Sequence, residues 1–279
     1  MLASMQMQRT KSLCYYGLLF TLASFCLGPI VLMVTTSLKV KSEIFADKFT
    51  WLFIPTLSNY GDVFLDDKLS RYFWNSCIIG SISTAMTLMV GCMAAYALVR
   101  FRFMGRDAVS IGTLLMRMVP PAVLTVPVFM IWTYNFGISN TLSGVILSYV
   151  ALNLPFAIWI LQSFIEQVPP QLEEAARMDG ANPLQIFLLV VLPVIRPGLA
   201  AAAIFTFRIA WNEFILALVL TNRFTRTLPV KVSLFITEHN IEWGQIMAIG
   251  TLIAIPPLVV TFLASRQIIT GLTAGAVKG

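Results

Sequence analysis

The sequence predicts an all-α membrane protein with six transmembrane helices, and three observations carry that prediction. First, the 279 residues are 58% hydrophobic and only 11% charged, against about a quarter charged in an ordinary soluble domain. Second, the mean hydropathy of +0.82 resides in long uncharged runs, where a membrane β-barrel would show short alternating segments. Third, six runs reach the ~20 apolar residues needed to cross the hydrocarbon core: 13–36, 74–98, 108–132, 141–164, 197–220 and 245–268. No Ser/Gly-rich linker divides them. One membrane domain, 13–268, with tails at 1–12 and 269–279, accounts for the chain.

The first run follows Arg9 and Lys11. Its apolar stretch is too long for a cleaved signal peptide and lacks a small-residue cleavage pattern, so it stays as a span. The segment 37–73 after it balances Lys39, Lys41, Lys48, Lys68 and Arg71 against Glu43, Asp47, Asp62, Asp66 and Asp67. The second run places Gly80 four residues before Thr84 and Gly91 four before Ala95, a small-residue spacing that favours close helix packing. It ends in "VRFRFMGRD", whose Arg100, Arg102 and Arg106 mark a cytoplasmic loop. Six spans then put both termini on the cytoplasmic side and make 37–73 and 221–244 the outer loops. Prolines 120, 121 and 127 interrupt the third run, Pro155 the fourth, and Pro256 and Pro257 the sixth. Each removes a backbone donor, and the freed carbonyls need partners in a dry environment. Broken spans of this kind line transport pathways; packing kinks are an equally good account of any single proline.

A net charge of +6 suits the lipid headgroups and topology of a bilayer protein better than a nucleic-acid partner. Cys14, Cys26, Cys77 and Cys92 all fall in apolar runs, and His239 is the single histidine, so neither a zinc site nor a disulfide framework is expected. Glu238, His239 and Glu242 are close in sequence but read as a solvated loop.

Between the fourth and fifth spans lies "PPQLEEAARMDGANPLQIFLLVVLPVIRPG", 169–198. Pro169 and Pro170 end one span and suit a helix start. Glu173 and Glu174 fall in the first turn, where carboxylates complement the helix dipole, and Glu173 has Arg177 four residues on for a pair. Ala175 and Ala176 leave one flank nearly bare, and Asp179-Gly180 supplies a left-handed helix end. Asn182-Pro183 reads as cap and first position of a second helix, whose apolar run closes at Leu192-Pro193. The product is a short helix-turn-helix on the cytoplasmic face, either docking another surface or serving as a solvated connector. Inside the spans, Arg117, Asn153, Arg208, Trp211, Asn212 and Glu213 are polar groups in costly surroundings. Asn153, Trp211 and Asn212 have the chemistry of a sugar site, amides for hydroxyls and a ring to stack on a pyranose. Arg208 and Glu213 are five apart, too far round the helix to pair well with each other; structural ion pairs with partners on another span or subunit are the competing account for these charges.

The run Glu174-Ala175-Ala176, Gly180 four residues on, and Val190, Leu192 and Pro193 resembles the EAA signature of permease subunits of bacterial ATP-binding-cassette importers, with Val190 in place of the usual isoleucine. "LSNYGDVF", "AWNEFILAL", the double proline of the sixth span and "GLTAGAVKG" look like the MalG-type carbohydrate-uptake group. The resemblance implies a type I importer permease fold in a bacterial inner membrane, carrying a coupling helix within the EAA loop 166–196. Glu173, Glu174, Ala175, Ala176, Asp179, Gly180, Leu192 and Pro193 would couple to the ATPase, and Asn153, Trp211, Asn212, Glu213 and Arg117 would line the substrate pathway. It further implies a homologous second permease, two ATPase subunits that bind ATP and magnesium, an extracytoplasmic solute-binding protein and a carbohydrate substrate. Residues Ala276 to Gly279 would reach the ATPase interface. The chain has no GxxxxGK[ST] sequence, so the phosphate cradle belongs to another polypeptide and no cofactor or catalysis is expected here. Two alternatives remain: an autonomous carrier using Arg208 and Glu213 as an ion relay, and glycerol-3-phosphate as substrate, held by Arg117 or Arg208.

Overall fold

The computed structural model describes residues 2–46, 48, 50–65, 67–235 and 241–276, with side chains placed except at 2–11, 13, 14, 67 and 264–276. In order the helices are α1 (Leu2–Ser37), α2 (Lys41–Ile44), α3 (Ser58–Phe64), α4 (Asp67–Arg100), α5 (Arg106–Arg117), α6 (Pro121–Met130, continued by a π-helical turn Ile131–Phe136), α7 (Leu142–Glu166), α8 (Pro170–Met178), α9 (Pro183–Ile186, continued by a π-helical turn Phe187–Val191), α10 (Leu192–Val194), α11 (Arg196–Asn212), α12 (Ile215–Leu220), α13 (Leu228–Ser233) and α14 (Trp243–Ala276). Helices α1, α4, α7 and α14 are long and apolar enough to cross a membrane singly. The expected third run is two helices, α5 and α6, bent by 101° across 118–120, and the segment 183–194 meets α11 at 78°. Counting each bent pair as one span gives six. Pro120 and Pro121 explain the first bend. Pro121 is the first residue of α6, where a missing N–H is harmless, while Pro120 disfavours helical backbone at the residue before it.

The chain forms two compact units, residues up to 66 with 234–252, and 67–233 with 253–279. In the first, the expected outer loop folds back on the end of α1. Asn59 donates to the carbonyls of Ser37 (2.9 Å) and Lys39 (2.8 Å), the Tyr60 hydroxyl meets Ser37 Oγ at 2.8 Å, and buried Lys39 donates to the Thr50 carbonyl at 2.7 Å. These bonds satisfy carbonyls that the helix end leaves open, which gives "LSNYGDVF" a local structural task.

The second unit is built on α4, α7 and α11. Cys92, Ala95, Leu98, Ile158, Leu161 and Ile165 form one buried cluster with Ile186, Phe187, Val191 and Ile195 of the segment after α8. Ile79, Val145, Ile146, Tyr149, Leu216 and Leu220 form a second. The small residues do what their spacing suggests. A Cβ on Gly91 would sit 3.2 Å from Ala157 Cβ, and one on Gly80 3.2 Å from the Phe207 ring. Gly198, at the start of α11, packs so tightly on Phe164 that a Cβ would overlap the ring. At the opposite end of α4, Asn75 donates to the Phe224 and Arg226 carbonyls (2.9 and 3.0 Å) and Ser76 accepts from the Leu228 N–H (2.7 Å), fixing the turn before α13.

Candidate functional site

Residues 166–196 fold as the local chemistry dictates. Pro169 caps α8 and Pro170 is its first residue. Gly180 takes φ +86°. Around it the Gly180 N–H returns to the Arg177 carbonyl (3.1 Å) and the Ala181 N–H to that of Ala176 (3.0 Å), a Schellman end. Asn182 then caps α9, accepting from the Gln185 N–H (2.9 Å) while the Gln185 side chain accepts from the Asn182 N–H (2.8 Å). Gln185 completes a reciprocal capping box that the sequence reading passed over, although Asn-x-x-Gln is its signature.

The coupling candidates divide by face. Glu174, Ala175, Asp179 and Gly180 are exposed, and nothing in the chain lies within 4 Å of a Cβ built on Gly180. Glu173 is buried, Ala176 packs partly against the core, and Leu192 and Pro193 are half-buried. The expected Glu173–Arg177 pair does not form. Glu173 Oε1 instead accepts from Arg100 Nε at 2.6 Å and Oε2 from the Tyr96 hydroxyl at 3.0 Å. The reason is burial: with its side chain only 6% exposed, the carboxylate needs desolvated donors, whereas Arg177 points to solvent. Arg100 also donates to the carbonyls of Ile165 (3.1 Å) and Val168 (2.7 Å) at the end of α7.

Among the pathway candidates, Arg117 and Glu213 come together. They line a cavity of about 330 Å³ with Leu152, Ile209 and the 118–121 break. Arg117, in the last turn of α5, lies over the Phe156 ring at 5.0 Å. Arg208 lies over Phe205 at 5.7 Å, and the Phe156 and Phe205 rings meet edge-to-face at 5.9 Å. Arg208 and Glu213, five residues apart, do not pair with each other, and neither has an ion-pair partner among the described residues. Glu213 sits where the fifth run breaks between α11 and α12, and its Oε1 accepts from the Leu216 N–H at 2.7 Å, capping α12. A second cavity of about 260 Å³, more apolar, shares Met116, Val119 and Leu152 with the first. Trp132 and Ser148, hydrogen-bonded at 2.7 Å, line it, and the sequence reading did not single them out.

The sugar-stacking expectation for Trp211 does not hold in this geometry. The residue is 1% exposed and stacks on Phe207, with ring centroids 5.6 Å apart. Its indole N–H donates to the Ile253 carbonyl at 3.0 Å. In an unbroken helix that carbonyl would accept from residue 257, but Pro257 has no N–H. Trp211 thus satisfies the acceptor that the double proline frees. Asn153 is fully buried and donates to the Tyr149 carbonyl (2.9 Å), while Asn212 is exposed and donates to that of Arg208 (2.9 Å). They do not converge with Trp211 on one site. Glu242 pairs with Lys41 at 2.8 Å; Glu238, His239 and residues 277–279 lie outside the described residues.

The model of the family described as "Binding-protein-dependent transport system inner membrane component" matches residues 87–272. The chain belongs to this family. The matched stretch runs from mid-α4 into α14 and so contains Arg100, Arg117, the whole of 166–196 and Glu213. Two similar family members are the trehalose transport system permease protein SugB of Mycobacterium tuberculosis (39% identical, 95% of this chain and 97% of the relative) and the trehalose/maltose transport system permease protein MalG of Thermococcus litoralis (37%, 92% and 94%). In fold, the chain is similar to a crystal structure of a bacterial ABC transporter involved in the import of the acidic polysaccharide alginate. The TM-score is 0.79 at 23% identity, covering 92% of this chain and 96% of that one. The architecture is that of a type I ABC importer permease, and this inner membrane component is a multi-pass permease of a binding-protein-dependent ABC importer.

Proposed function

We propose that this permease forms half of the translocation pathway of an ATP-driven carbohydrate importer and does no covalent chemistry itself. A homologous second permease supplies the other half, two ATPase subunits bind ATP and magnesium, and an extracytoplasmic binding protein delivers the sugar. The observation that carries the reading is the exposed face of α8. Glu174, Ala175, Asp179 and Gly180 form a short, capped, acidic surface, with open space at Gly180 where an approaching surface meets only backbone. Closure of the ATPase pair pushes this helix, and the spans alternate between inward and outward access. Arg117 and Glu213, facing one cavity at two breaks, are the pathway residues the geometry favours. A sugar as cargo is supported by the names of the relatives SugB and MalG.

Both termini face the cytoplasm in this reading. Arg100 of the basic loop bonds directly to Glu173 of α8, so the loop marked by its arginines and the surface offered to the ATPase lie at one end of the bundle. The test is uptake of labelled trehalose and maltose by proteoliposomes holding the assembled transporter. Uptake requires ATP inside and binding protein outside. Uptake by this chain alone, driven by an ion gradient, would overturn the reading in favour of an autonomous carrier.

A further inference from the structure

One side chain, Arg100 at the end of α4, bonds to both α8 and the end of α7. Arg100 sends Nε to Glu173 Oε1 in the first turn of α8 (2.6 Å) and Nη2 to the carbonyls of Ile165 (3.1 Å) and Val168 (2.7 Å) at the end of α7. Tyr96, one turn earlier on α4, closes the cluster. Its hydroxyl donates to Glu173 Oε2 at 3.0 Å, and its ring lies against Phe187, 5.1 Å between centroids, in the turn after α9. Side-chain exposures of 17% for Arg100 and 6% for Glu173 separate this pair from a solvated surface bridge.

Resting on the coupling role proposed for α8, we propose that Arg100 and Glu173 form a latch that positions α8 and fastens it to α4 and α7. Without it, α8 is held by the short link 167–169, the Gly180 turn and the apolar contact of Ala176 with the core, none of which fixes its orientation by a charged hydrogen bond. A helix hinged at both ends swings under load. With the latch, displacement of α8 passes to two spans at once through charge-assisted hydrogen bonds of fixed geometry. The guanidinium is specific to the task, because one planar fork serves a carboxylate and two carbonyls together. A lysine ammonium carries the charge without that geometry. Glu173 is then a positioning residue facing inward, and the docking surface begins at Glu174.

The experiment uses the assembled transporter in proteoliposomes, with labelled trehalose and maltose as probes, and reads molecules taken up per ATP hydrolysed. Arg100→Lys and Glu173→Gln should each lower that ratio by about tenfold, within the range that residues coupling two sites control. The double variant should fall no lower than the worse single, since both remove one latch. Spin labels at Gln171→Cys and Met104→Cys, in a background lacking the native cysteines, should show a broader distance distribution in Glu173→Gln than in the parent. If Arg100→Lys does not assemble, Glu173→Gln and Tyr96→Phe carry the same two readouts. A role in stability alone lowers uptake and hydrolysis together. An unchanged ratio with an unbroadened distance in an assembled variant therefore overturns the latch. Failure of the parent complex to take up either probe with ATP overturns the transport reading instead, and the latch with it.

Discussion

Gly180 allows backbone strain and loss of docking to be separated. Its φ of +86° lies in the left-handed region, where an L-residue with a Cβ costs about 1–2 kcal/mol. Within the chain there is no steric penalty, because nothing lies within 4 Å of the added Cβ. Alanine and leucine therefore pay nearly the same backbone cost and differ only in what they present outward. Asparagine tolerates the left-handed region, as Asn140 does here at φ 61°, yet brings a side chain of leucine's size. Gly180→Ala should lower the thermal midpoint slightly and retain part of the uptake. Gly180→Asn should keep the midpoint near the parent and lose uptake and binding-protein-stimulated hydrolysis by tenfold or more, since about 1.4 kcal/mol of lost docking is already a factor of ten. Gly180→Leu should show both defects. The assay pairs a melting curve in detergent with uptake per assembled complex. Gly180→Asn transporting within about twofold of the parent, well under 1 kcal/mol, would refute close approach at this glycine.

Three further substitutions test the packing. Trp211→Phe removes the donor to the Ile253 carbonyl and should destabilise the detergent-solubilised protein by about 1 kcal/mol. In a Pro257→Ala background, where residue 257 regains its N–H, the loss should shrink; an unchanged KM for uptake separates this from a sugar contact. Gly198→Ala drives a Cβ into the Phe164 ring and should cost about 1–3 kcal/mol, part of which Phe164→Leu restores. Asn182→Ala breaks the capping box with Gln185 and should cost about 1 kcal/mol, read as a lower midpoint and earlier proteolysis at 179–183.

What sequence reasoning recovered was what local chemistry decides. Pro169-Pro170, Gly180 and Asn182-Pro183 each act on their own backbone, and the helix ends fall where those residues put them. The expected fourth run, 141–164, became α7, Leu142–Glu166, because apolar length alone defines such a helix. The third run was not legible as two helices, since its total apolar length suits one span; Pro120-Pro121 announces a break but not a bend of 101°. Long-range partners were the other loss. Helical spacing offered Glu173 only Arg177, whereas its partner lies 73 residues away in sequence. Trp211 read as a free aromatic face because its acceptor, the carbonyl orphaned by Pro257, belongs to another span.

The polar groups of the second unit are not spread evenly over its helix breaks, and the difference bears on where the bundle yields. In lipid, a carbonyl or N–H freed at a break needs a protein partner. Where the partner comes from another element, it ties the two together: Arg100 holds α4 to α7 and α8, Trp211 holds α11 to the part of α14 beginning at Ile253, and Asn75 holds α4 to the turn before α13. Parting any of these pairs exposes a buried polar group, at about 1–3 kcal/mol each. At the Arg117–Glu213 cavity the Tyr149 hydroxyl of α7 donates to the Glu213 carbonyl at 3.2 Å, while the two charged side chains bond elsewhere. Glu213 caps the helix after it, and Arg117 rests on an aromatic ring. Among the described residues no ion pair joins them across the space. Separating α5 from the α11–α12 break therefore parts no ion pair among the described residues, whereas separating α8 from α4 breaks the two bonds that Glu173 accepts from Arg100 and Tyr96. On the coupling role proposed for α8, a push there is carried by the elements these bonds tie, and α5 parts from the α11–α12 break at the cavity that no ion pair spans among the described residues.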